Sequence, residues 1–466
     1  MSAEKKKNEV SGLLCTRESI YKDITEEKLN KIFSYAEAYR SFLNAAKTER
    51  EATKCARQMA EEAGYTEYRF GDVLKAGDKR YFVNKEKGIF LFRIGTAPLA
   101  EDGLRVLAAH IDSPRLDLKQ NPLYEEGGMS FLKTHYYGGI KKYQWMALPL
   151  ALHGVIIRAD GSQADVCIGE EESEPVFYIN DLLPHLGQEQ AAKPLGKAIS
   201  GETLNLLVGG IPVPSGEEEN AIKLNVLRIL HEKYGISEED FVSAELSAVP
   251  AGKCRDAGLD RAFLVGYGHD DRCCAYPALT ALFSAEETKH TLFVVLADKE
   301  EIGSNGNTGL QCRLFADLME EIARSLGQNP SAMRHASKCL SADVNAAFDP
   351  NYADVYEKRN SAMISKGPAM SKFTGSRGKS GSNDASAEYV GFIRRIFAQN
   401  HVSWQPAELG KVDIGGGGTV AMYIAEQNID TVDLGLPVIS MHAPYEIISK
   451  ADLYALHEAF SAFCRD

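Results

Sequence analysis

Several familiar signatures are missing from this 466-residue chain. No long apolar run follows the opening MSAEKKKNEV, so neither a leader peptide nor a membrane span is expected. The nine cysteines are odd in number and show no CxxC spacing. That argues against a disulfide framework and for free thiols in a reducing, cytoplasmic setting. Positive charge is in deficit, 52 basic against 65 acidic residues, a net of −13. Such a balance excludes non-specific binding to nucleic acid or anionic membrane and favours cations. No internal repeat is present. GSRGKSG (375–381) is no phosphate loop, because Phe373 stands where its first glycine belongs, and GGGG (415–418) fails the dinucleotide pattern at Val420.

What is present has the composition of a globular protein, 44% hydrophobic and 25% charged, too long for one ordinary core. Residues 25–63 carry a helical pattern with Ile32, Ala36, Tyr39 and Phe42 on one face and Gly64 as its stop. GIFLFRIG and LRVLAAH read as strands covered on both faces. From about residue 119 to 259 the texture changes to short alternating segments. HGVIIRADGSQADVCIG reads as a hairpin around Asp160-Gly161, and AIKLNVLRILHEKYG as an amphipathic helix ending at Gly235. Beyond residue 260, buried strands (TLFVVLAD, KCLSAD, PVISMH) alternate with helices again. The expectation is an α/β fold, with a mostly parallel sheet in a domain of residues 1–118 and 260–466, interrupted by a β-rich insertion at 119–259.

Five segments end buried strands, or follow them at once, with a histidine or carboxylate: LAAHIDSP (His110, Asp112), GYGHDDR (Asp270, Asp271), ADKEEIGS (Glu300, Glu301), SADVN (Asp343) and SMHAPYE (His442). Functional groups gather at the carboxyl ends of strands in open α/β sheets. Two imidazoles with several carboxylates are a ligand set for zinc or a related divalent ion. An isolated glutamate doublet is most simply a solvated surface pair; five such groups, each at an apolar strand's end, point to a site. If the chain stays extended at Glu300-Glu301, neighbouring side chains diverge. Glu301 can then ligate while Glu300 serves as general base beside a water that the metal acidifies. Asp112 suits a partner that orients the His110 imidazole.

AAHIDSPRLDLK, YYGGIKKYQW, GHDDRCCA, DKEEIGS, SADVNAAFDPNY and MHAPYE, in that order, resemble the aspartyl aminopeptidase and vacuolar aminopeptidase I family of dinuclear zinc aminopeptidases, in its bacterial branch. The resemblance implies a zinc peptidase domain with an inserted dimerisation domain. It implies two divalent ions per subunit, zinc foremost, with cobalt and manganese tolerated by the same donors. Asp270 would bridge them, His110 and Asp343 would complete one, and Glu301 and His442 the other. Glu300 would be general base and acid in hydrolysis that removes an acidic or neutral N-terminal residue from peptides. It further implies that His185, in INDLLPHLG, reaches a neighbouring subunit's site, that Lys366, in MISKGPAM, contacts substrate, and that dimers assemble into a tetrahedral dodecamer. YYGGIKKYQW and DIGGGGT depart from the animal enzymes, where they could shape the substrate pocket. Two rivals stand beside this reading. A related dinuclear metal amidase, such as a deacylase or carboxypeptidase, would not require a free amine; a non-catalytic oligomeric shell would have no use for Glu300.

Overall fold

A computed structural model describes residues 13–214, 219–286 and 289–466; the opening MSAEKKKNEV lies outside them. Among the described residues no helix is long and apolar enough to cross a membrane.

Gly88–Arg93, Leu104–His110 and Thr291–Ala297 are buried along their whole length, which explains their unbroken apolar sequence. They form the middle of a nine-stranded sheet. Thr291–Ala297, Leu104–His110, Lys338–Ser341 and Asp430–Gly435 lie side by side and parallel. Alternation along each strand divides the core in two. Leu91, Leu107 and Val294 face the helices Glu26–Ala45, His269–Ser284 and Lys450–Arg465, whereas Phe92, Val106 and Phe293 face Leu314–Ser325. The parallel register aligns the strands' carboxyl ends: Ala297 lies opposite His110, and Ser341 opposite Ala108. Residues that follow these strands therefore emerge at one edge.

A separate seven-stranded antiparallel sheet draws every strand from residues 115–250, from Arg115–Glu126 to Ala244–Pro250. It has its own core, which includes Trp145, Leu152, Phe241 and Leu246. The hairpin around Asp160-Gly161 is formed, with Ile157 opposite Gln163. Helix Ala221–Tyr234 ends at Gly235, whose φ of 67° an L side chain adopts at a cost.

Two local expectations change. The helical stretch 25–63 is two helices, Glu26–Ala45 and Glu49–Glu62. The break occurs because Thr48 and Glu51 cap the second helix reciprocally. PVIS does not join the parallel sheet. Pro437–Ile439 lies in a third, five-stranded sheet with Glu446–Ser449 and Phe263–Gly266, and its antiparallel pairing to Glu446–Ser449 turns the chain back sharply.

A buried charge network ties the Thr48 break to the seven-stranded sheet. Glu51 Oε1 lies 2.8 Å from His153 Nδ1, Glu170 Oε1 lies 2.9 Å from His153 Nε2, and Lys47 Nζ donates to Glu170 and to the carbonyls of Pro250 and Gly252. Burial opposes a charged His153, but Cys167, Glu170 and Glu51 outweigh it and raise the ring to about 11. Its stabilising charge is therefore complete below its unfolded value near 6.5 and is lost only as pH rises through about 11. Glu51 and Glu170 are lowered despite burial, chiefly by His153, so their share is present at neutral pH and fades on acidification. His153→Leu should cost about 3 kcal/mol in chemical denaturation at pH 7, because it leaves buried carboxylates short of a cation. The deficit should shrink on acidification below about pH 4, as the carboxylates protonate first in the variant, where His153 no longer lowers them, and then in the wild type.

Candidate metal centre

His110 ends its strand, and the chain turns at once through Asp112, which is fully buried. Asp270 and Asp271 follow the Phe263–Gly266 strand with non-helical backbone at the mouth of the next helix. Glu300 and Glu301 follow Thr291–Ala297, Asp343 follows Lys338–Ser341, and His442 occupies the turn between Pro437–Ile439 and Glu446–Ser449. Three separate strand ends and two turns of the small sheet thus meet at one place.

Asp270 stands at the centre. Its Oδ1 lies 3.1 Å from His110 Nε2 and its Oδ2 3.2 Å from His442 Nε2. His110 Nε2 is 3.9 Å from both Glu300 Oε2 and Asp343 Oδ1, and His442 Nε2 is 3.4 Å from Glu301 Oε2. Two groups of donors, His110, Asp270 and Asp343, and Asp270, Glu301 and His442, each gather within 4.8 Å and share Asp270.

The tautomers show what this arrangement fits. His110 Nδ1 lies 3.0 Å from the Asp112 carbonyl and His442 Nδ1 2.9 Å from the Gly139 carbonyl. A carbonyl only accepts, so each Nδ1 carries a proton and each Nε2 is left facing carboxylate oxygens. Burial opposes a second proton on the rings, but Asp112 and Asp270 raise His110 well above its ordinary value and Asp270 raises His442 to about 10, so without an ion each Nε2 holds a proton among the acids. A bound cation would take the place of that proton between each Nε2 and its carboxylates. The carboxylates agree. Burial, then Asp270, raises Glu301, whose Oε1 is buried without a hydrogen-bond partner; burial, then Glu300, raises Asp343. Burial also pushes Glu300 up to about 7 and Glu446 to about 8. Asp270 and Asp112 are lowered instead: burial works against their charge, but His110 and His442 outweigh it at Asp270, and His110 and Tyr137 at Asp112. Mixed nitrogen and oxygen donors of this kind suit zinc.

The glutamate doublet differs from expectation in its backbone. Glu300–Ile302 is a 3-10 turn rather than extended chain, because the Asp112 carboxylate accepts both the Glu300 N–H (3.1 Å) and the Glu301 N–H (3.2 Å). Side chains one residue apart in such a turn still diverge. Glu446, not singled out from the sequence, is buried and accepts the backbone N–H of His442 (2.7 Å) and of Asp270 (3.0 Å).

A cavity of about 450 Å³ opens on Asp270, Glu300, Glu301, Asp343 and His442. Val344, Leu409, Met441 and Gly416 to Gly418 line its walls. His185 lies elsewhere, exposed on the short turn Pro184–Leu186 of the seven-stranded-sheet region. Lys366 is not brought to this cavity either. The N–H groups of Ser365 and Gly367 both donate to Asp452, and that turn places Lys366 in a separate cavity beside Arg17 and Trp404. His269 packs against Tyr39, with its ring nitrogen 2.8 Å from the phenol. Asp271, Cys273 and Cys274 form a third donor cluster, but burial raises both thiols, Cys273 to about 12, so they remain protonated.

Comparison with known proteins agrees over nearly the whole chain. The family described as aminopeptidase I zinc metalloprotease (M18) matches residues 42–464. A probable M18 family aminopeptidase 1 of Clostridium acetobutylicum is 50% identical over 446 residues, covering 94% of this chain and 96% of the relative. The crystal structure of an M18 aminopeptidase from Thermotoga maritima superposes with a TM-score of 0.93 at 41% identity, covering 97% of this chain and 100% of that one. At 20% identity the fold extends to the mApe1 dodecamer of S. cerevisiae, with a TM-score of 0.75 and coverage of 93% and 97%.

Proposed function

The chain belongs to the M18 family of aminopeptidase I zinc metalloproteases, and we propose that it removes neutral N-terminal residues from peptides at a dinuclear centre bridged by Asp270. One observation carries the reading: a single carboxylate spans two imidazole Nε2 atoms, at 3.1 and 3.2 Å, with a further carboxylate on each side. His110 and Asp343 would hold one ion with Asp270, and Glu301 and His442 the other. Zinc bound there supplies a Lewis acid and lowers the pKa of water towards neutrality. Glu300 belongs to neither three-donor group yet faces His110. It takes the proton of the attacking water and passes it to the departing amine. Cobalt and manganese suit the same donors.

The wall chemistry supports a neutral preference. No lysine or arginine is among the described residues lining the cavity, whereas Asp270, Glu300, Glu301, Asp343 and Asp433 are. The ions would offset the charge of Asp270, Glu301 and Asp343, so what weighs against an acidic side chain is that no cationic side chain is there to pair with it, whereas Val344, Leu409 and Met441 receive an apolar one. Leucyl- and methionyl-arylamides should exceed aspartyl- and glutamyl-arylamides in kcat/KM by about a hundredfold. Equal rates on the aspartyl substrate would remove the preference. N-acetylated peptides should be inert, which separates the reading from a deacylase.

We place His185 in the site of a second copy, where it would donate to the substrate's developing oxyanion. It is exposed between exposed Leu183 and Leu186, and the S. cerevisiae relative is a dodecamer. A tetrahedral dodecamer built on dimers of the 119–259 insertion, with catalytic residues from 1–118 and 260–466, is the assembly we propose; native mass spectrometry counts the copies. Nine unpaired cysteines support a reducing, cytoplasmic location.

A further inference from the structure

The YYGG segment lies on the seven-stranded sheet, yet three of its consecutive residues reach three different members of the metal centre. Tyr137 ends the strand Met129–Tyr137 and donates its phenol proton to Asp112 Oδ2 at 2.8 Å. The same carboxylate receives the Glu300 and Glu301 N–H groups, and its Oδ1 lies 3.3 Å from His110 Nδ1. One phenol therefore braces the group on which a histidine and both glutamates depend. The ring cannot drift, because the Arg115 guanidinium lies 4.0 Å over its centroid, itself held by Glu49 at 3.2 Å and Asp117 at 2.8 Å. Gly138 has a φ of 74°, and a Cβ there would lie 3.4 Å from Glu301 Oε2. Gly139 offers its carbonyl to His442 Nδ1 at 2.9 Å, and a Cβ on it would lie 3.3 Å from that nitrogen.

We infer that Tyr137 and Gly139 are positioning residues of the metal centre: Tyr137 holds Asp112 against the glutamate turn and His110, and Gly139 fixes the tautomer and plane of His442. The inference rests on the dinuclear reading above. Its consequence is that the inserted sheet, far from serving assembly alone, helps set the ligand geometry of the catalytic core. Groups that orient metal ligands from behind change affinity by about 10- to 100-fold when lost. The two contacts differ in reach, since Asp112 serves His110 in one donor group and Glu301 in the other, whereas Gly139 serves His442 alone.

The test uses full-length Tyr137→Phe and Gly139→Ala proteins, stripped of metal and titrated with zinc against a competing chelator, with thermal unfolding of the stripped proteins alongside. Expected is a loss of zinc affinity of about tenfold in each variant, beyond any change in stability of the stripped chain. Cobalt-loaded Gly139→Ala should also show a shifted visible absorption band, reporting a re-oriented imidazole. A purely structural role would lower the unfolding temperature and leave zinc affinity within twofold of wild type, and that result overturns the inference. Should Gly139→Ala fail to fold, Tyr137→Phe, which removes one oxygen and adds no bulk, decides alone. Wild-type protein that takes up no zinc would overturn the premise, and is distinguishable from wild-type uptake with unaffected variants.

Discussion

Glu300→Gln lowers kcat by about a thousandfold while zinc content stays that of wild type. The size follows from the role, since a positioned proton acceptor contributes about 10²- to 10⁴-fold. The selectivity follows from geometry. Glu300 lies outside both donor groups that share Asp270, and its backbone N–H, not its side chain, is the atom Asp112 holds. The amide keeps the shape and removes the basicity, so the turn and the neighbouring Glu301 stay in place. Single-turnover rates with metal analysis on the same sample check both halves. Wild-type turnover in this variant would strip Glu300 of its role, and loss of zinc together with activity would make it a ligand instead. A shell protein without catalysis would show no change at all.

Asp270→Asn abolishes activity, by more than about a thousandfold, through a different route: it empties both positions at once. One oxygen faces His110 and the other His442, so each ion depends on this carboxylate for both charge and a donor atom. An asparagine presents one neutral acceptor oxygen and an NH2 group with two donor N–H bonds, which any cation repels. Asp343→Asn should contrast with it, because Asp343 belongs to one donor group only. Metal analysis after dialysis should read two zinc ions per chain in wild type, about one in Asp343→Asn and none in Asp270→Asn. Equal content in the two variants would refute a bridging Asp270 and with it the dinuclear arrangement.

The site was legible to the extent that chemistry follows local pattern. His110 closes an apolar run, and the glutamates follow another. Those runs are buried on both faces, so whatever polar residue comes next has to leave the sheet at its edge. The Thr48 break was written in the sequence as a capping box, four residues of a recognised form, yet the helical periodicity on either side of it masked the signal. The 3-10 turn at Glu300–Ile302 was not legible, because its cause is the Asp112 carboxylate, 188 residues away. Lys366 illustrates the same point in reverse. Its motif was quoted for the resemblance, but Lys366 lines another cavity, in a turn whose Ser365 and Gly367 N–H groups donate to Asp452, on a helix 87 and 85 residues further along the chain.

From the sequence alone came the α/β class, the change of texture at the insertion, the family resemblance and the identities of the convergent acids and imidazoles, because burial and strand alternation are short-range demands that each segment meets on its own. Tertiary structure alone decided which nitrogen of each histidine faces inward, that Asp270 and not another acid stands between them, that Glu446 ties two of the turns together, and that Tyr137 and Gly139 support the site from a different sheet. Some of those bonds are short in sequence, two residues for His110 with Asp112 and 25 for Tyr137 with Asp112, but Gly139 with His442 and Asp270 with Glu446 lie more than a hundred residues apart, and a bond's partner at that range is fixed by packing, which no local pattern encodes.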